Sequence, residues 1–327
     1  MVLWVIAILS VVVLEFCFAM RTEVNIAKNF KDELQLYAIA EGGVQRAIAE
    51  LIYKHDPKMQ QIRKTLKAEE TPADKKEWMT DGRPYLLLFD GETCEIRIMG
   101  EGGKVNINLV SETMLRKIIT NLGLQGEVRD IVVDSIMDWR DADDFHRLNG
   151  AENDYYQSLK EPYNAKNANL DSMEELLLVR GVDSDLFYGK KGAKKGEEGG
   201  KAEGIGLKDI FSIYSPGEQV DINSASSPVL RVVLGIPDEI AQLIVKAREE
   251  KGFENQRDLL QRAHELSPFI TELGREIVFR SAVPYYTIES RAKNHDGGSV
   301  RGLKAIVKID PREKGGHKFI QWVDTLI

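Results

Sequence analysis

The stretch that decides the fold lies at the N-terminus, where residues 2–20 read VLWVIAILSVVVLEFCFAM. Only Ser10 and Glu15 interrupt this apolar run. A helix rises about 1.5 Å per residue, so the run spans roughly the hydrocarbon core of a bilayer. We therefore predict a transmembrane segment over residues 1–20. Its predicted anchor residues are Val2, Leu3, Trp4, Val5, Ile6, Ile8, Leu9, Val11, Val12, Val13 and Leu14.

A secretory signal peptide that is later removed is the alternative for this run. Such a peptide needs a basic region before the apolar residues and a cleavage site of small residues after them. No lysine or arginine precedes the run, and residues 16–20 read FCFAM. We therefore favour a retained helix. The charges of Arg21, Glu23 and Lys28 are mixed and follow one end only, so they leave the orientation open.

The helical pattern continues from the apolar run into polar sequence. Apolar residues then recur every three or four positions, which is typical of an amphipathic helix packed on a soluble domain. We predict one helix from residue 2 to about residue 54, in which Gly42 and Gly43 allow close packing or a kink. The stripe consists of Leu34, Tyr37, Ala38, Glu41, Val44, Gln45, Ile48, Leu51 and Ile52.

Strand-like runs lie on both sides of a long block with helical spacing. Period-two alternation and turn residues predict strands, whereas spacings of three and four predict helices. The predicted fold class is α+β, with the long N-terminal helix packed on a small antiparallel sheet and a large inserted α-helical domain. The predicted strands are residues 84–89, 94–99, 285–291, 303–309 and 319–326.

The same patterns set the expected domain boundaries. Residues 21–104 hold the soluble part of the long helix and the first strands, residues 105–283 form the inserted domain, and residues 284–327 complete the sheet. Residues 189–206 are rich in glycine and lysine with few apolar side chains, so we expect a mobile loop there.

Composition bounds the function of the chain. Its 327 residues are 43% hydrophobic and 29% charged, and the formal net charge is −8. A chain this acidic is a poor general partner for nucleic acid, whose phosphates require basic patches. We expect the two cysteines, Cys17 in the apolar run and Cys94 in a strand, to lie in different environments without a disulfide between them.

The inserted domain contains an internal repeat. Val105-Asn-Ile-Asn108 matches Val220-Asp-Ile-Asn223, and Leu115-Arg116 matches Leu230-Arg231 at the same offset. Two copies of a small helical unit explain this better than chance does.

The second copy resembles a helix-hairpin-helix unit, which binds phosphate through backbone N–H groups in its turn. Here Pro237 removes one such donor, and Asp238 and Glu239 would repel phosphate. A membrane-anchored DNA-binding or DNA-uptake protein is therefore the alternative function, and we expect no nucleic acid as a partner.

The densest polar constellation begins at Asp138, where residues 138–144 read DWRDADD. Calcium takes six to eight oxygen ligands, which carboxylates on a flexible loop supply. The alternative is a solvated acidic loop with Arg140 and Arg147 as internal partners. No histidine or cysteine set suggests zinc. The candidate metal ligands are Asp138, Asp141, Asp143, Asp144, Glu152 and Asp154.

Catalytic motifs are weak in this sequence. No glycine-rich segment has the strand–loop–helix form of a P-loop, and nothing groups a nucleophile with a base. We therefore predict a protein that is not an enzyme, and a hydrolase would need a nucleophile constellation that the pattern does not offer.

Several of these motifs together resemble the general secretion pathway protein K family of bacterial type II secretion. The resemblance rests on the acidic run, on Leu3-Trp-Val-Ile-Ala-Ile-Leu9 and on Val220-Asp-Ile-Asn223 with its hairpin. Further motifs follow the acidic run: Gly150-Ala-Glu152, Tyr155-Tyr156, Pro162-Tyr163, Asn167-Ala-Asn169 and residues 174–181, which read EELLLVRG.

This resemblance implies a pseudopilin fold and a minor pseudopilin at the tip of a short pseudopilus. Its partners would be the other minor pseudopilins, with secreted cargo or the outer-membrane channel as further candidates. It would sit in the bacterial inner membrane as a single-pass protein with its bulk in the periplasm. The resemblance also implies calcium in the inserted domain, held by the acidic run.

Two departures from the wider pilin pattern bear on processing. Pilin-type precursors carry a short basic leader, whereas this sequence begins inside the apolar segment, so we expect a truncated start or different processing. Most pilin-like proteins also carry a glutamate near the mature start, where this sequence has Val5. The K subunit is expected to lack that glutamate, which suits a tip position with no subunit above it.

Overall fold

A computed structural model of the chain divides into two compact units. One contains residues 1–78, 83–98 and 287–327, and the other contains residues 79–82 and 99–286. The residues that the structure describes are 2–56, 58, 61, 78–89, 91–189, 204–249, 251–269, 274–280, 283–295 and 299–325.

Helix α1, Val2–His55, dominates the first unit. Its N-terminal part is exposed throughout and is apolar enough to cross a membrane by length and composition. Burial begins at Leu36 and recurs at Ala40, Val44 and Ala47, which is the three-to-four spacing of one helix face. The predicted single helix is therefore confirmed, but its packed face is only partly the predicted stripe. Val44, Ile48 and Leu51 are buried, whereas the predicted Leu34, Ala38, Glu41 and Gln45 are exposed because the face that meets the sheet is lined by Leu36, Ala40, Gly43 and Ala47.

The packed half of α1 lies on a five-stranded sheet with strand order β1-β2-β7-β8-β9. Side chains alternate along the strands, so that Cys94, Ile96 and Ile98 of β2 are buried while their neighbours are partly exposed. Strands β8 and β9 pair antiparallel. The strands are β1 Asp81–Phe89, β2 Glu92–Gly100, β7 Tyr285–Lys293, β8 Val300–Ile309 and β9 His317–Thr325. All five predicted strands are confirmed, most with longer ends.

Gly43 sets how closely α1 approaches this sheet. A Cβ atom on Gly43 would lie 2.3 Å from Ser290 Oγ and 2.7 Å from Cys94 Sγ, whereas a Cβ on Gly42 would meet nothing within 4 Å. The glycine pair therefore serves close packing, and only its second member faces the sheet. Cys94 is buried there and Cys17 is exposed, so the two cysteines lie in different environments.

The second unit is mainly helical and falls between β2 and β7 in the chain. Its short strands pair in parallel, β3 with β4 and β5 with β6. Its strands are β3 Val105–Asn106, β4 Phe211–Ser212, β5 Val220–Asp221 and β6 Ile277–Val278. Its helices are α2 Glu112–Asn121, α3 Gly126–Arg140, α4 Asn153–Gln157, α5 Ser184–Tyr188, α6 Leu207–Ile210, α7 Ser227–Leu234, α8 Asp238–Ala247 and α9 Gln256–Arg262. Single 3₁₀ segments cover Glu101–Gly103, Met173–Leu178 and His264–Phe269.

The sequence repeat is also a structural repeat. In each copy the side-chain amide of an asparagine forms two hydrogen bonds with the backbone of one distant residue, which we call the asparagine clamp. Asn108 donates to Leu170 O at 3.0 Å and accepts from Leu170 N at 2.8 Å. Asn223 does the same with Phe253, at 2.9 Å and 2.7 Å.

An arginine at the end of the second helix completes each copy. Arg140 donates to the carbonyls of Ile107 and Val110, and Arg248 donates to those of Ile222 and Ala225. The four carbonyls stand at equivalent positions of the repeat. Each pair lies just before the first helix of its copy, where the arginine satisfies backbone acceptors that no helix or sheet uses.

The two copies differ in the connection that follows the arginine. The second copy runs from Arg248 directly to the clamped Phe253, whereas the first runs from Arg140 through a long segment to the clamped Leu170. This segment contains the acidic run. The first copy is therefore the same helical unit with an inserted loop.

One sequence prediction falls on residues that the structure leaves out. The expected mobile loop over residues 189–206 lies mostly at 190–203, outside the described residues.

Candidate metal centre

The inserted loop begins at the last turn of α3, where Asp138 is fully buried. Arg147 returns from the loop and satisfies this carboxylate with its backbone N–H at 3.0 Å and its guanidinium at 2.6 Å. The same guanidinium donates to Asp141 Oδ2 at 2.7 Å. Burial raises the pKa of Asp138, and the hydrogen bonds from Arg147 oppose this rise. Asp138 is thus a structural anchor whose two oxygens are already occupied.

Further contacts hold the loop in one shape. Asn149 donates its backbone N–H to Asp134 Oδ2 on α3 at 3.1 Å. Asn167 donates to the carbonyl of Asp143 and to Asp144 Oδ1, each at 2.9 Å. Both ends of the loop are therefore tied to the helical unit and to each other.

Within this loop, one group of buried oxygen atoms lacks hydrogen-bond donors. Both carboxylate oxygens of Glu152, Asp141 Oδ1 and Asn167 Oδ1 are buried and accept no hydrogen bond from the described residues. Glu152 is only 2% exposed. A buried carboxylate without a donor or a cation is costly, so this group needs a positive partner.

The electrostatics of Glu152 point the same way. Burial and, after it, the negative charges of Asp138, Asp141 and Asp144 raise the pKa of Glu152 to about 7, while the nearby Asn167 side chain opposes this rise. The charged form of Glu152 therefore lies in a negative field that a divalent cation would reverse.

These oxygens fit a hard cation, with one restriction. They are carboxylate and amide oxygens, which are the ligands that calcium takes. The described residues nevertheless contain no group of three or more histidine, cysteine, aspartate or glutamate side chains placed to share a metal ion. The fit therefore rests on Asp141, Glu152 and the amide of Asn167, with backbone carbonyls and water needed for the remaining positions.

The other three predicted ligands serve the loop itself. Asp143 caps the backbone N–H of Phe145 at 2.9 Å. Asp144 accepts from the side-chain amides of Asn153 and Asn167. Asp154 accepts the N–H of Tyr155 and is exposed. The six predicted carboxylates are thus neighbours along one loop but do not converge on one point.

Asn167 is the site residue that the sequence prediction missed. Its backbone φ is +48°, the left-handed region in which asparagine is enriched among non-glycine residues. This conformation accompanies its side-chain contacts with the acidic run. The signal was present in the Asn167-Ala-Asn169 motif, but the prediction considered carboxylates alone.

Comparison with known proteins gives matches in both halves of the second unit. Residues 100–188 match the family model described as type II secretion system (T2SS), protein K. Residues 215–272 match the helix-hairpin-helix motif. The first match covers the copy with the inserted loop, and the second covers the copy without it.

Curated relatives cover the chain more widely. Type II secretion system protein K of Pseudomonas aeruginosa is 24% identical over 335 residues, which cover 96% of this chain and 91% of that protein. Type II secretion system protein K of Pectobacterium carotovorum subsp. carotovorum is 32% identical over 105 residues, which cover 31% of this chain and 32% of that protein.

One solved structure has a similar fold. It is a chain from the crystal structure of the GspK-GspI-GspJ complex from the enterotoxigenic Escherichia coli type 2 secretion system. The TM-score is 0.59 at 14% identity, and the match covers 92% of this chain and 99% of that chain. The long helix, the sheet and the inserted helical unit therefore belong to one known fold.

Proposed function

We propose that the chain is a member of the type II secretion system protein K family, and that it is a minor pseudopilin that works at the tip of the pseudopilus. The observation that carries this proposal is the architecture of the first unit. A helix with an exposed apolar half and a sheet-packed half joins a membrane to a folded domain. The second unit, which is inserted into the first and makes up more than half of the chain, also suits a tip position, because no further subunit has to stack above a tip subunit.

The proposed partners are the other minor pseudopilins of the same system. The support is the similar chain of the Escherichia coli complex, which is crystallised together with GspI and GspJ. In this proposal α1 anchors the chain in the inner membrane before assembly, and the folded units lie in the periplasm. The chain then acts through assembly, not catalysis.

The DNA-binding alternative finds less support in the hairpin itself. Helix α8 has Pro237 at its N-cap and Asp238 and Glu239 in its first turn. A helix N-terminus binds phosphate through free N–H groups and a positive dipole end, and these two carboxylates occupy that end. We therefore assign the hairpin a structural role in the repeat.

A complementation experiment tests the proposed function. Deletion of the gene is expected to leave type II cargo in the periplasm, and the full-length chain is expected to restore its release into the medium. The restored strain should yield the chain in a detergent-solubilised complex with the other minor pseudopilins. Normal secretion in the deletion strain, or failure of the wild-type chain to copurify with any minor pseudopilin, would contradict the proposal.

We further propose that the inserted loop binds calcium. Glu152, Asp141 and Asn167 would hold the ion, which would neutralise the buried carboxylate and tie the loop to α3. The proposed role of the ion is structural. In the second copy a short connection leads from Arg248 to Phe253, which Asn223 clamps, whereas in the first copy a long connection has to be ordered before Asn108 can clamp Leu170. An ion within the loop would supply that order.

Calcium titration by calorimetry and thermal melting of the chain from residue 22 onward tests this site. We expect binding that raises the melting temperature and is weakened at least tenfold by Glu152→Gln and by Asn167→Ala. Asp154→Asn is the matched control, because Asp154 is exposed and, among the described residues, its side chain accepts a hydrogen bond only from the N–H of the adjacent Tyr155. Equal loss in Asp154→Asn, or no binding at millimolar calcium in the wild type, would overturn the assignment.

A further inference from the structure

Two large apolar side chains on the inserted loop are almost fully exposed. Leu148 is 94% exposed and Phe145 is 85% exposed, the highest values of any large hydrophobic side chain in the part of the chain that the structure describes. They exceed even the residues of the apolar half of α1. Single exposed apolar residues are common on protein surfaces, but two such residues within four positions of one loop call for an explanation.

The exposure does not come from a loose loop. Arg147, which lies between the two residues, is fastened to Asp138 by its backbone N–H and its guanidinium. The N–H of Phe145 is capped by Asp143 at 2.9 Å, and Gly150 N donates to Arg147 O at 3.0 Å. The loop therefore presents Phe145 and Leu148 in a defined arrangement. We call these two residues the loop-tip pair.

Charge around the loop-tip pair restricts what can cover it. Asp143 and Asp144 are exposed on the same loop, and among the described residues their side-chain bonds go to a backbone N–H and to neutral amides. Within residues 141–150, which contain the pair, the only lysine or arginine is Arg147, and it is already shared by Asp138 and Asp141. The rim of the pair is therefore acidic, which repels anionic lipid headgroups and nucleic acid.

From this combination we infer that the loop-tip pair is a docking site for a folded protein that offers an apolar pocket rimmed by lysine or arginine. Phe145 and Leu148 would fill the pocket, and Asp143 and Asp144 would pair with its rim. A few side chains that fill well-packed pockets carry most of the affinity of an interface, while rim charges set its orientation and association rate. This site goes beyond assembly through α1 and gives the inserted unit a contact of its own.

Photo-crosslinking in a strain with a working type II secretion system tests the site. The full-length chain carries a photoreactive phenylalanine analogue at position 145, at 148 or, as a matched control, at Val128, which is also an exposed apolar residue of the second unit. We expect one discrete protein adduct from 145 and 148 and none from 128. The same adduct pattern from 128, or no protein adduct from 145 and 148, would overturn the inference.

The captured protein is then purified and its affinity for the full-length chain is measured. We expect Phe145→Ala and Leu148→Ala each to raise Kd at least tenfold, Val128→Ala to leave it within about twofold, and added salt or Asp143→Asn with Asp144→Asn to weaken binding. Unchanged affinity in the two loop-tip variants contradicts the site. Stronger binding after the aspartates are neutralised also contradicts it.

A membrane is the competing occupant, and vesicles test it. If phosphatidylglycerol vesicles retain the chain without residues 2–20 better than the Phe145→Ala variant of that same version, the pair inserts into lipid and the inference of a protein partner is overturned. Copurification of each variant with the other minor pseudopilins is a separate readout. Its loss in the wild type would contradict the proposed function, whereas loss of adducts with copurification intact would contradict only this docking site.

Discussion

At the scale of single residues, Glu152 carries the candidate metal centre. Its carboxylate is buried, accepts no hydrogen bond from the described residues and faces the charges of Asp138, Asp141 and Asp144. Arg147 already neutralises two of those three side chains and does not reach Glu152. The residue therefore requires either a proton or a cation. When no ion is bound, the pH decides whether the carboxyl group of Glu152 is protonated.

The pH dependence of stability follows from this pKa. Without calcium, Glu152 has a pKa of about 7 when folded and an ordinary value near 4.5 when unfolded. Between these two values the folded state holds a proton that the unfolded state lacks, so this stabilisation is complete below about pH 4.5 and is lost as pH rises through 7. We expect the melting temperature of the calcium-free wild type, relative to Glu152→Gln, to fall between pH 5 and pH 8.

Calcium should reverse this fall of the melting temperature with pH, because the ion binds the ionised carboxylate of Glu152 and not its protonated form. Melting curves of the wild type and Glu152→Gln in chelator and in millimolar calcium, at pH 5, 6, 7 and 8, separate the two cases. A difference between the two proteins that stays constant with pH in chelator would show that Glu152 is not a buried, unpaired acid.

At the scale of elements, α1 combines two different surfaces in one unbroken helix. The side chains of its first half are exposed. Its second half packs on the sheet through small residues, with Ala40, Gly43 and Ala47 on the buried face. Small side chains bring the helix axis close to the sheet, and the close approach explains why Cys94 and Ser290 crowd Gly43.

Adjacent glycines of α1 allow a test with an internal control. Alanine favours a helix over glycine by about 1 kcal/mol, so Gly42→Ala should stabilise the protein by about 0.5–1 kcal/mol. Gly43→Ala has the same helix preference but places its Cβ against Ser290 and Cys94, so it should destabilise by about 1–3 kcal/mol. Denaturant unfolding of the two variants measures both values. The same sign for both would mean that α1 does not approach the sheet as closely as described.

The repeat of the second unit shows how one element acquires a site. Both copies use the same asparagine clamp and the same terminal arginine, and only the first carries the long connection with the acidic run. The candidate metal centre thus lies in a connection that the second copy of the unit does without.

At the scale of the whole molecule, the apolar half of α1 is the candidate membrane anchor of the chain. Its side chains are exposed over a length that crosses a bilayer, and transfer of such a helix from water is strongly favourable. We expect the full-length chain to remain in the membrane pellet after an alkaline carbonate wash and a version without residues 2–20 to be released. Protease added to spheroplasts should degrade the folded units while a cytoplasmic marker survives. Release of the full-length chain by carbonate would contradict a membrane anchor.

Local patterns in the sequence determined much of this protein. The apolar run and the stripe after it predict α1, apolar runs, alternation and turn residues predict the five strands of the sheet, and the matching Val-Asn-Ile-Asn and Val-Asp-Ile-Asn motifs predict the repeat. Each of these follows from a period of 3.6 or 2 residues or from direct similarity, and such signals need no knowledge of distant contacts.

Contacts between distant residues were decided only by the tertiary structure. The sequence predicts an acidic loop with six candidate ligands, but folding gives Asp138 to Arg147, leaves Glu152 without a donor and brings Asn167 beside it. Equally, nothing in the sequence distinguishes Gly43 from Gly42 or predicts that Phe145 and Leu148 point outward. Burial and hydrogen-bond satisfaction depend on which segments meet, and the clamps by Asn108 and Arg140 that bring these segments together span tens of residues.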